Sequence, residues 1–395
     1  MTNALTHIKY LAEDIGPRAP TSGGEKTAAK YLENYLESLG SDVQVSVQSF
    51  RGTSTWSWPN IFSWLFPQIA ILIFLISPTL AAIVAGIGVF AFLFETDNRP
   101  NISRLFYTRM SQNVIGKIKT KQLPVKKVVL IAHYDSSKAD FTHHPKRVAS
   151  FRKLALMNLV ILFLIFGLYS VGALFEFIEV PLIPSIIWPI SLILVIPSLY
   201  SSLLLILREW RNELVPGAND NASGVAIALE LVKSFIKEPL QETEIISVFT
   251  GCEEAFCTGM IEFLKKFGKD LREAYFINLD NIGAGTPIFA PIEGMIFSRK
   301  ADPEMLQIAR EIQINHPELN VEERSFRAGY TDGTVAIIRG YKVLSFLALN
   351  ENDVPPNWHW ETDTIENIDK DTLSNVEEFV KKLIREIDQK TNFSS

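Results

Sequence analysis

Apolar positions recur three and four apart over residues 4–15 (Leu5, Ile8, Leu11, Ile15) and 23–39 (Ala28, Tyr31, Leu32, Tyr35, Leu36), which predicts two amphipathic helices. Pro17, Pro20 and Gly23-Gly24 separate them, and Gly40 stops the second. Residues 42–50 alternate apolar and polar, the pattern of a half-buried strand. Two much more apolar blocks follow. Residues 61–94 contain no charged side chain and turn near Ser77-Pro78-Thr79. Residues 154–207 divide into stretches 154–175 and 183–207 about Glu176, Glu179 and Pro181. A membrane crossing needs about 20 apolar residues. The blocks are apolar on every face, which argues against ordinary core helices. The pattern therefore predicts two helical hairpins in a membrane, four segments in all, with the first hairpin short for two full crossings.

Between and after these blocks the pattern becomes α/β. Lys127-Val-Val-Leu-Ile-Ala132 has no polar alternation, as expected of a strand covered on both faces. Residues 243–249, 274–279 and 342–349 read as further strands, and 222–236, 254–267, 302–314 and 370–388 as helices. No repeat or low-complexity segment interrupts them. The chain reads as one α/β domain made of residues 1–58, 97–150 and 209–395, with membrane hairpins at 59–96 and 151–208.

Composition agrees with inserts in a polar domain. Hydrophobic residues make up 47% of the chain and the mean hydropathy is +0.15, with the excess gathered in the two blocks. A net charge of −6 and a pI near 5.7 argue against nucleic acid as a partner. The segment from Glu95 to Lys153 is rich in Lys and Arg, whereas the turns at 77–79 and 176–182 have none. The positive-inside rule then puts both termini and the long polar segments in the cytoplasm. The first ten residues lack a cationic stretch followed by an apolar core, so no cleaved signal peptide is expected. Cys252 and Cys257 form no disulfide framework and no CxxC zinc pattern, which suits free thiols in a reducing compartment.

Residues that bind divalent metals recur just beyond the strands. His133-Tyr134-Asp135 follows Ala132, Glu253-Glu254 follows strand 243–249, and Asp280 follows Leu279. Asp220 opens a helix and His359 lies beyond the last strand. Each has an ordinary reading by itself. The Glu253-Glu254 pair suits a helix start, Asp220 a helix cap, and His133 a core histidine. Asp135 suits a turn, and His359 an aromatic pocket between Trp358 and Trp360. His143-His144 and His316 read as solvated loop residues. In open α/β sheets, however, sites form outside the carboxyl ends of the strands. Five potential ligands with a histidine at each end of the series read as a metal site.

His133-Tyr-Asp135, Asn219-Asp-Asn-Ala-Ser-Gly224, Glu253-Glu254, Asn278-Leu-Asp-Asn-Ile-Gly283 and His359 resemble the motif series of the co-catalytic two-zinc aminopeptidases. That family also contains glutamate-carboxypeptidase-like enzymes and glutaminyl cyclases. The resemblance spans about residues 1–58, 105–140 and 211–390. It implies a mixed, mainly parallel sheet flanked by helices, and two zinc ions per chain. His133 and Asp280 would complete one zinc site, Glu254 and His359 the other, with Asp220 bridging. Glu253 would be the general base for a metal-bridging water. Asp135 would accept the other ring N–H of His133, and Tyr330 is a candidate to hydrogen-bond the oxyanion. Where the family often has Ser-Asp-His, this chain reads Thr331-Asp332-Gly333. The function implied is a membrane-anchored zinc aminopeptidase. The alternatives are a glutaminyl cyclase with one zinc and an inactive peptidase-like receptor or accessory protein. The insertion between Asp135 and Asp220 begins and ends near ligands, so hydrophobic peptides and the lipid bilayer are the expected partners.

Overall fold

In the computed structural model, which describes residues 2–100, 102–118, 124–180 and 182–390, the chain divides into two units. The first comprises the segments up to Ser54, from Arg109 to Ala149, and from Leu214 onward. The second comprises Thr55–Thr108 and Ser150–Glu213. Residues 55–58, 97–108, 150 and 209–213, which hydropathy alone leaves with the α/β part, thus go with the second unit.

The strands of the first unit are β1 (Val43–Gly52), β2 (Arg109–Ile118), β3 (Lys126–His133), β4 (Thr243–Thr250), β5 (Tyr275–Leu279), β6 (Thr286–Ala290), β7 (Ile292–Glu293), β8 (Arg299–Lys300), β9 (Glu322–Glu323) and β10 (Lys342–Leu349). Eight of them form one sheet in the order β1-β2-β4-β3-β5-β10-β6-β9, and β7 pairs with β8. The central β4, β3, β5 and β10 are parallel, while β2 and β6 run antiparallel to them. This is a mixed, mainly parallel sheet with helices on both faces.

The sequence of β3 shows why it lies at the centre. Val128, Leu130 and Ala132 enter a core with Leu32, Leu36, Val225, Leu229 and Phe379. Val129 and Ile131 enter the opposite core with Met260, Phe263, Val335 and Ala336. Side chains alternate across a strand, so two covered faces require apolar residues at every position. The closing helix Lys370–Gln389 covers the first face with Leu373, Val376, Phe379, Val380, Leu383 and Ile384, and Asp369 caps its start. Each such buried side chain contributes about 1.5–3 kcal/mol.

Strand β2 escapes the hydrophobic pattern because its first half is polar. Ser111 and Asn113 are buried nevertheless, the first donating to Glu25 and the second to Gln48 and the Gly259 carbonyl. Partners from other elements, invisible in a local window, make those positions tolerable.

The second unit is four helices, Ser57–Ile73, Pro78–Thr96, Phe151–Phe177 and Leu182–Arg211. Ala70, Ile71, Phe74, Ala81, Ile165, Tyr169, Ile187 and Val195 pack inside it. Gly172 lets the helices close up, since a Cβ there would meet the Phe74 ring at 2.6 Å. Facing outward are large apolar side chains such as Ile76, Phe90, Phe163 and Ile193, exposed by 86%, 62%, 47% and 69%. Pro78–Thr96, Val148–Phe177 and Leu182–Arg211 are long and apolar enough to cross a membrane, by length and composition. The helix Ser57–Ile73 has only 17 residues and contains Pro67. At about 1.5 Å per residue it falls short of a hydrocarbon core about 30 Å thick. Among the described residues, three helices, rather than four, meet the requirement.

Arg18 ties the first unit together around the site. Fully buried, its guanidinium donates to the carbonyls of Leu11, Gly16, Tyr134, Pro216 and Gly217 at 2.7–3.1 Å. Burial lowers its pKa to about 10, against the opposing pull of Asp363, Asp135 and Asp220. Arg18→Met should cost about 3 kcal/mol or more in folding stability, because several buried carbonyls lose a charged donor. Arg18→Lys should recover only part, since one ammonium cannot span that fork. Denaturant midpoints of the detergent-solubilised proteins measure both, and an unchanged midpoint for Arg18→Met would refute the assignment.

Candidate metal centre

Neighbouring parallel strands bring the predicted ligands to one edge. β4, β3 and β5 lie side by side, and His133 at the end of β3 pairs with Thr250 at the end of β4. The loop after β4 carries Glu253 and Glu254, and Asp280 follows β5 directly. Asp220 and His359 arrive on loops. His133 Nε2 lies 3.1 Å from Asp220 Oδ1 and 3.6 Å from Asp280 Oδ1. His359 Nε2 lies 3.2 Å from Asp220 Oδ2 and 3.0 Å from Glu254 Oε2. One carboxylate thus offers a different oxygen to each imidazole. Two groups suited to a metal result, His133–Asp220–Asp280 and Asp220–Glu254–His359, and they share Asp220.

The polar motif around Asp220 is explained by its hydrogen bonds. Asn219 Oδ1 accepts the Gly283 N–H at 2.7 Å, and Ser223 Oγ accepts that of Ile282 at 3.1 Å. Asn221 donates to the Leu279 carbonyl at 2.8 Å and accepts the N–H of Asn281. The segment is thereby stitched to the chain on either side of Asp280. Asp363 takes the N–H groups of Asn219 and Asp220 at 2.6 and 3.0 Å. Gly217 has φ 69°, and a Cβ there would meet the Asp220 carbonyl oxygen and the Ser136 side chain at 2.6 Å. Glycine is required where the chain enters.

The Glu253-Glu254 pair does not start a helix. The next helix begins at Thr258, and the intervening loop is tight, with positive φ at Cys252, Phe256 and Cys257. Asp135 holds it: its carboxylate accepts the N–H of Glu253 at 3.1 Å and that of Glu254 at 3.0 Å. The same residue also faces the outer ring nitrogen of His133. His133 Nδ1 has the Asp135 backbone carbonyl at 3.1 Å, nearer than the carboxylate at 3.5 Å. Glu25, which the sequence reading passed over, accepts from Cys252 N–H and Ser111 Oγ at 3.0 and 2.9 Å. Burial raises its pKa to about 8.

The charges are unbalanced in favour of anions. Burial raises Glu253 well above the usual carboxylate range and also raises Glu254. Burial likewise lifts Asp332 and Asp363 to about 7. Burial would raise Asp220 too, but hydrogen bonds to His133 and His359 outweigh it and hold the carboxyl low. Burial opposes charge on His359, yet Glu254 and Asp220 push it up to about 10. His133 is raised for the same kind of reason, with Glu253 the leading attraction. Such a pocket favours positive charge.

Other predicted positions differ. His143, expected in a solvated loop, is buried, with its ring 4.6 Å from that of His359 and 4.7 Å from Trp358. The turn carrying it is fixed by Asp140, whose side chain accepts the Thr142 N–H and whose own N–H reaches the His359 carbonyl. His144 stacks edge-on with Trp360. The Tyr330 hydroxyl accepts the Ile296 N–H at 3.1 Å. Asp332, flagged only as a departure from a motif, bonds to the Thr250 hydroxyl.

The sequence model of Peptidase family M28 matches residues 206–384. No curated protein matches the chain. Among solved structures, a zinc aminopeptidase from Bacillus subtilis, BSAP, is similar with a TM-score of 0.58 at 15% identity, over 98% of this chain and 94% of that one. A glutaminyl cyclase from Bacteroides thetaiotaomicron bound to N-acetylhistamine gives 0.56 at 17% identity, over 97% of each chain. LapB from Legionella pneumophila gives 0.57 at 12% identity, over 98% of this chain and 72% of that one. These likenesses establish the fold, and the matched family agrees with the resemblance carried by the motif series.

Asp363 touches no proposed ligand atom but holds the backbone on which Asp220 stands. Asp363→Ala should weaken metal binding about 10- to 100-fold, as loss of a ligand's support commonly does. Asp363→Asn, which keeps one acceptor oxygen, should fall between. Competition with a chromophoric chelator measures both; equal affinities for all three proteins would remove Asp363 from the site.

Proposed function

We propose that the chain is a membrane-anchored zinc metallopeptidase that removes residues from the N-terminus of peptides. The observation that carries this reading is Asp220, which presents one oxygen to His133 and the other to His359 beside Glu253. The donor set fits zinc, which takes imidazole nitrogen and carboxylate oxygen. Glu254 Oε1 is buried without a hydrogen-bond partner, as an oxygen kept for a cation would be. In this reading His133 and Asp280 hold one ion, Glu254 and His359 a second, and Asp220 both. Zinc in these positions would polarise the scissile carbonyl and acidify the attacking water.

The protein's own groups handle the proton. Glu253 Oε2 lies 4.0 Å from His133 Nε2, and its side chain, 12% exposed, is the most open of the acidic set. It takes a proton from the attacking water and returns it to the departing amine. Asp135 fixes the base and the ligand Glu254 together through their backbone amides. Tyr330 is the proposed hydrogen-bond donor to the oxyanion. A hydrophobic peptide is the substrate that suits an enzyme anchored in a bilayer.

Glutaminyl cyclase is the second reading, because that fold likeness is almost as strong. The two-sided donor set around Asp220 favours the peptidase. Glu253→Gln separates the readings: it should retain two zinc ions per chain by metal analysis and lose about 10²- to 10⁴-fold in turnover of amino-acyl substrates. One zinc with cyclisation of N-terminal glutamine by the unmodified enzyme would decide for the cyclase. Full peptidase activity in Glu253→Gln would dismiss Glu253 as the base.

Anchoring rests on the three long apolar helices. The protein should stay in the membrane pellet through alkaline carbonate washing. With both termini cytoplasmic, proteases added to the cytoplasmic face should cut at residues 1–58 and 211–395 alike. Recovery in the supernatant, or cleavage of those segments from opposite faces, would overturn this topology.

A further inference from the structure

Beside the proposed zinc ligands, Glu253, Cys257 and Asp332 bring a carboxylate oxygen, a thiol sulfur and a second carboxylate oxygen within 4.8 Å of one another. No zinc ligand belongs to this set. The Cys257 thiol donates to Glu253 Oε1 at 3.1 Å, so Glu253 shows one oxygen to this cluster while the other faces His133. Asp332 is 1% exposed; one of its oxygens takes the Thr250 hydroxyl, and Oδ1 is buried with no hydrogen-bond partner. A buried carboxylate oxygen left bare is costly unless something positive comes to it. Sulfur with two carboxylates is a donor set for borderline and soft divalent ions such as zinc and cadmium, not for magnesium or calcium. Glu253, the most open of the three, leaves a way in.

We propose that Glu253, Cys257 and Asp332 form a third cation site, an inhibitory one, which takes a thiophilic divalent ion and thereby withdraws Glu253 from proton transfer. The inhibitory part rests on the reading of Glu253 as the base; the binding part does not. Binding breaks the Cys257 S–H bond and forms a metal–sulfur bond from the sulfur's electron pair. The proton passes to solvent, and nothing is oxidised or reduced. Excess zinc would therefore slow an enzyme that needs zinc, through different residues from those that require it.

The test uses full-length protein carrying its zinc complement, titrated with cadmium. One further equivalent should bind, with a thiolate-to-cadmium charge-transfer band in the ultraviolet that imidazole and carboxylate ligands cannot produce. Cys257→Ser should abolish the band, and Cys252→Ser should retain it. Peptide turnover, taken relative to each variant's own cadmium-free rate, should need about 10- to 100-fold more cadmium for half-inhibition in Cys257→Ser. Asp332→Asn, with matched shape, should shift inhibition in the same direction, and thermal midpoints check that each variant is folded. No band in the starting protein, a band lost with Cys252 instead of Cys257, or unshifted inhibition in Cys257→Ser would each overturn the site. A band in a protein that shows no peptide turnover without cadmium would uphold cation binding and overturn the peptidase reading instead.

Discussion

Asp135, Asp220, Glu253, Glu254, Asp280 and Asp332 crowd around two imidazoles, all of them largely out of water. Taking that much like charge from solvent costs several kcal/mol per ion unless cations or amide donors answer it. The rest of the first unit can be understood as the answer. Asp135 is met by two backbone N–H groups, Asp363 by two more, and Glu25 by another with a hydroxyl. What these donors leave unanswered is the pair of oxygens on Asp220 and those facing it. In the proposed reading, divalent cations would occupy that remainder.

The scaffold makes this crowding affordable by separating the load. The parallel strands β3, β4 and β5 are buried on both faces by two apolar cores, and that burial supplies the stability. Their carboxyl ends then hold functional groups whose own interactions are unfavourable without a ligand. Arg18 brings a permanent positive charge beneath the site, and it spends its donors on backbone carbonyls and not on the carboxylates. The loops stay in place while the acidic side chains remain available.

In the helical unit the constraint is reversed. Its large apolar residues face outward, and its interior is closed by small residues such as Gly172 and by Trp188 donating to the Ile71 carbonyl. Arg208 is buried against Thr55, Ser57 and the ring of Trp56. An outward apolar surface with polar groups paired inside is stable where the surroundings are apolar.

Much of this was legible in the chain itself. An unbroken apolar run marked β3, as suits a strand covered on both faces, and the closing helix announced itself by its period. The ligand types at the strand ends pointed to a candidate metal site, and the fold brings those side chains together. What the sequence could not convey were partners far apart in the chain. Glu25, Asp363 and Arg18 look like ordinary surface residues until the fold buries them against loops over a hundred residues away. β2 was not picked out from the sequence, and its buried Asn113 is satisfied by Gln48 and Gly259 from other elements. His143 looked solvated because nothing local shows that His359 and Trp358 will cover it. The identity of the donors was thus written in local pattern, whereas their burial, the division of Asp220 between two histidines and the alignment of Glu253 with Cys257 and Asp332 were decided by tertiary structure. Side-chain chemistry is a property of each residue; desolvation and the distances that set its strength exist only once distant segments meet.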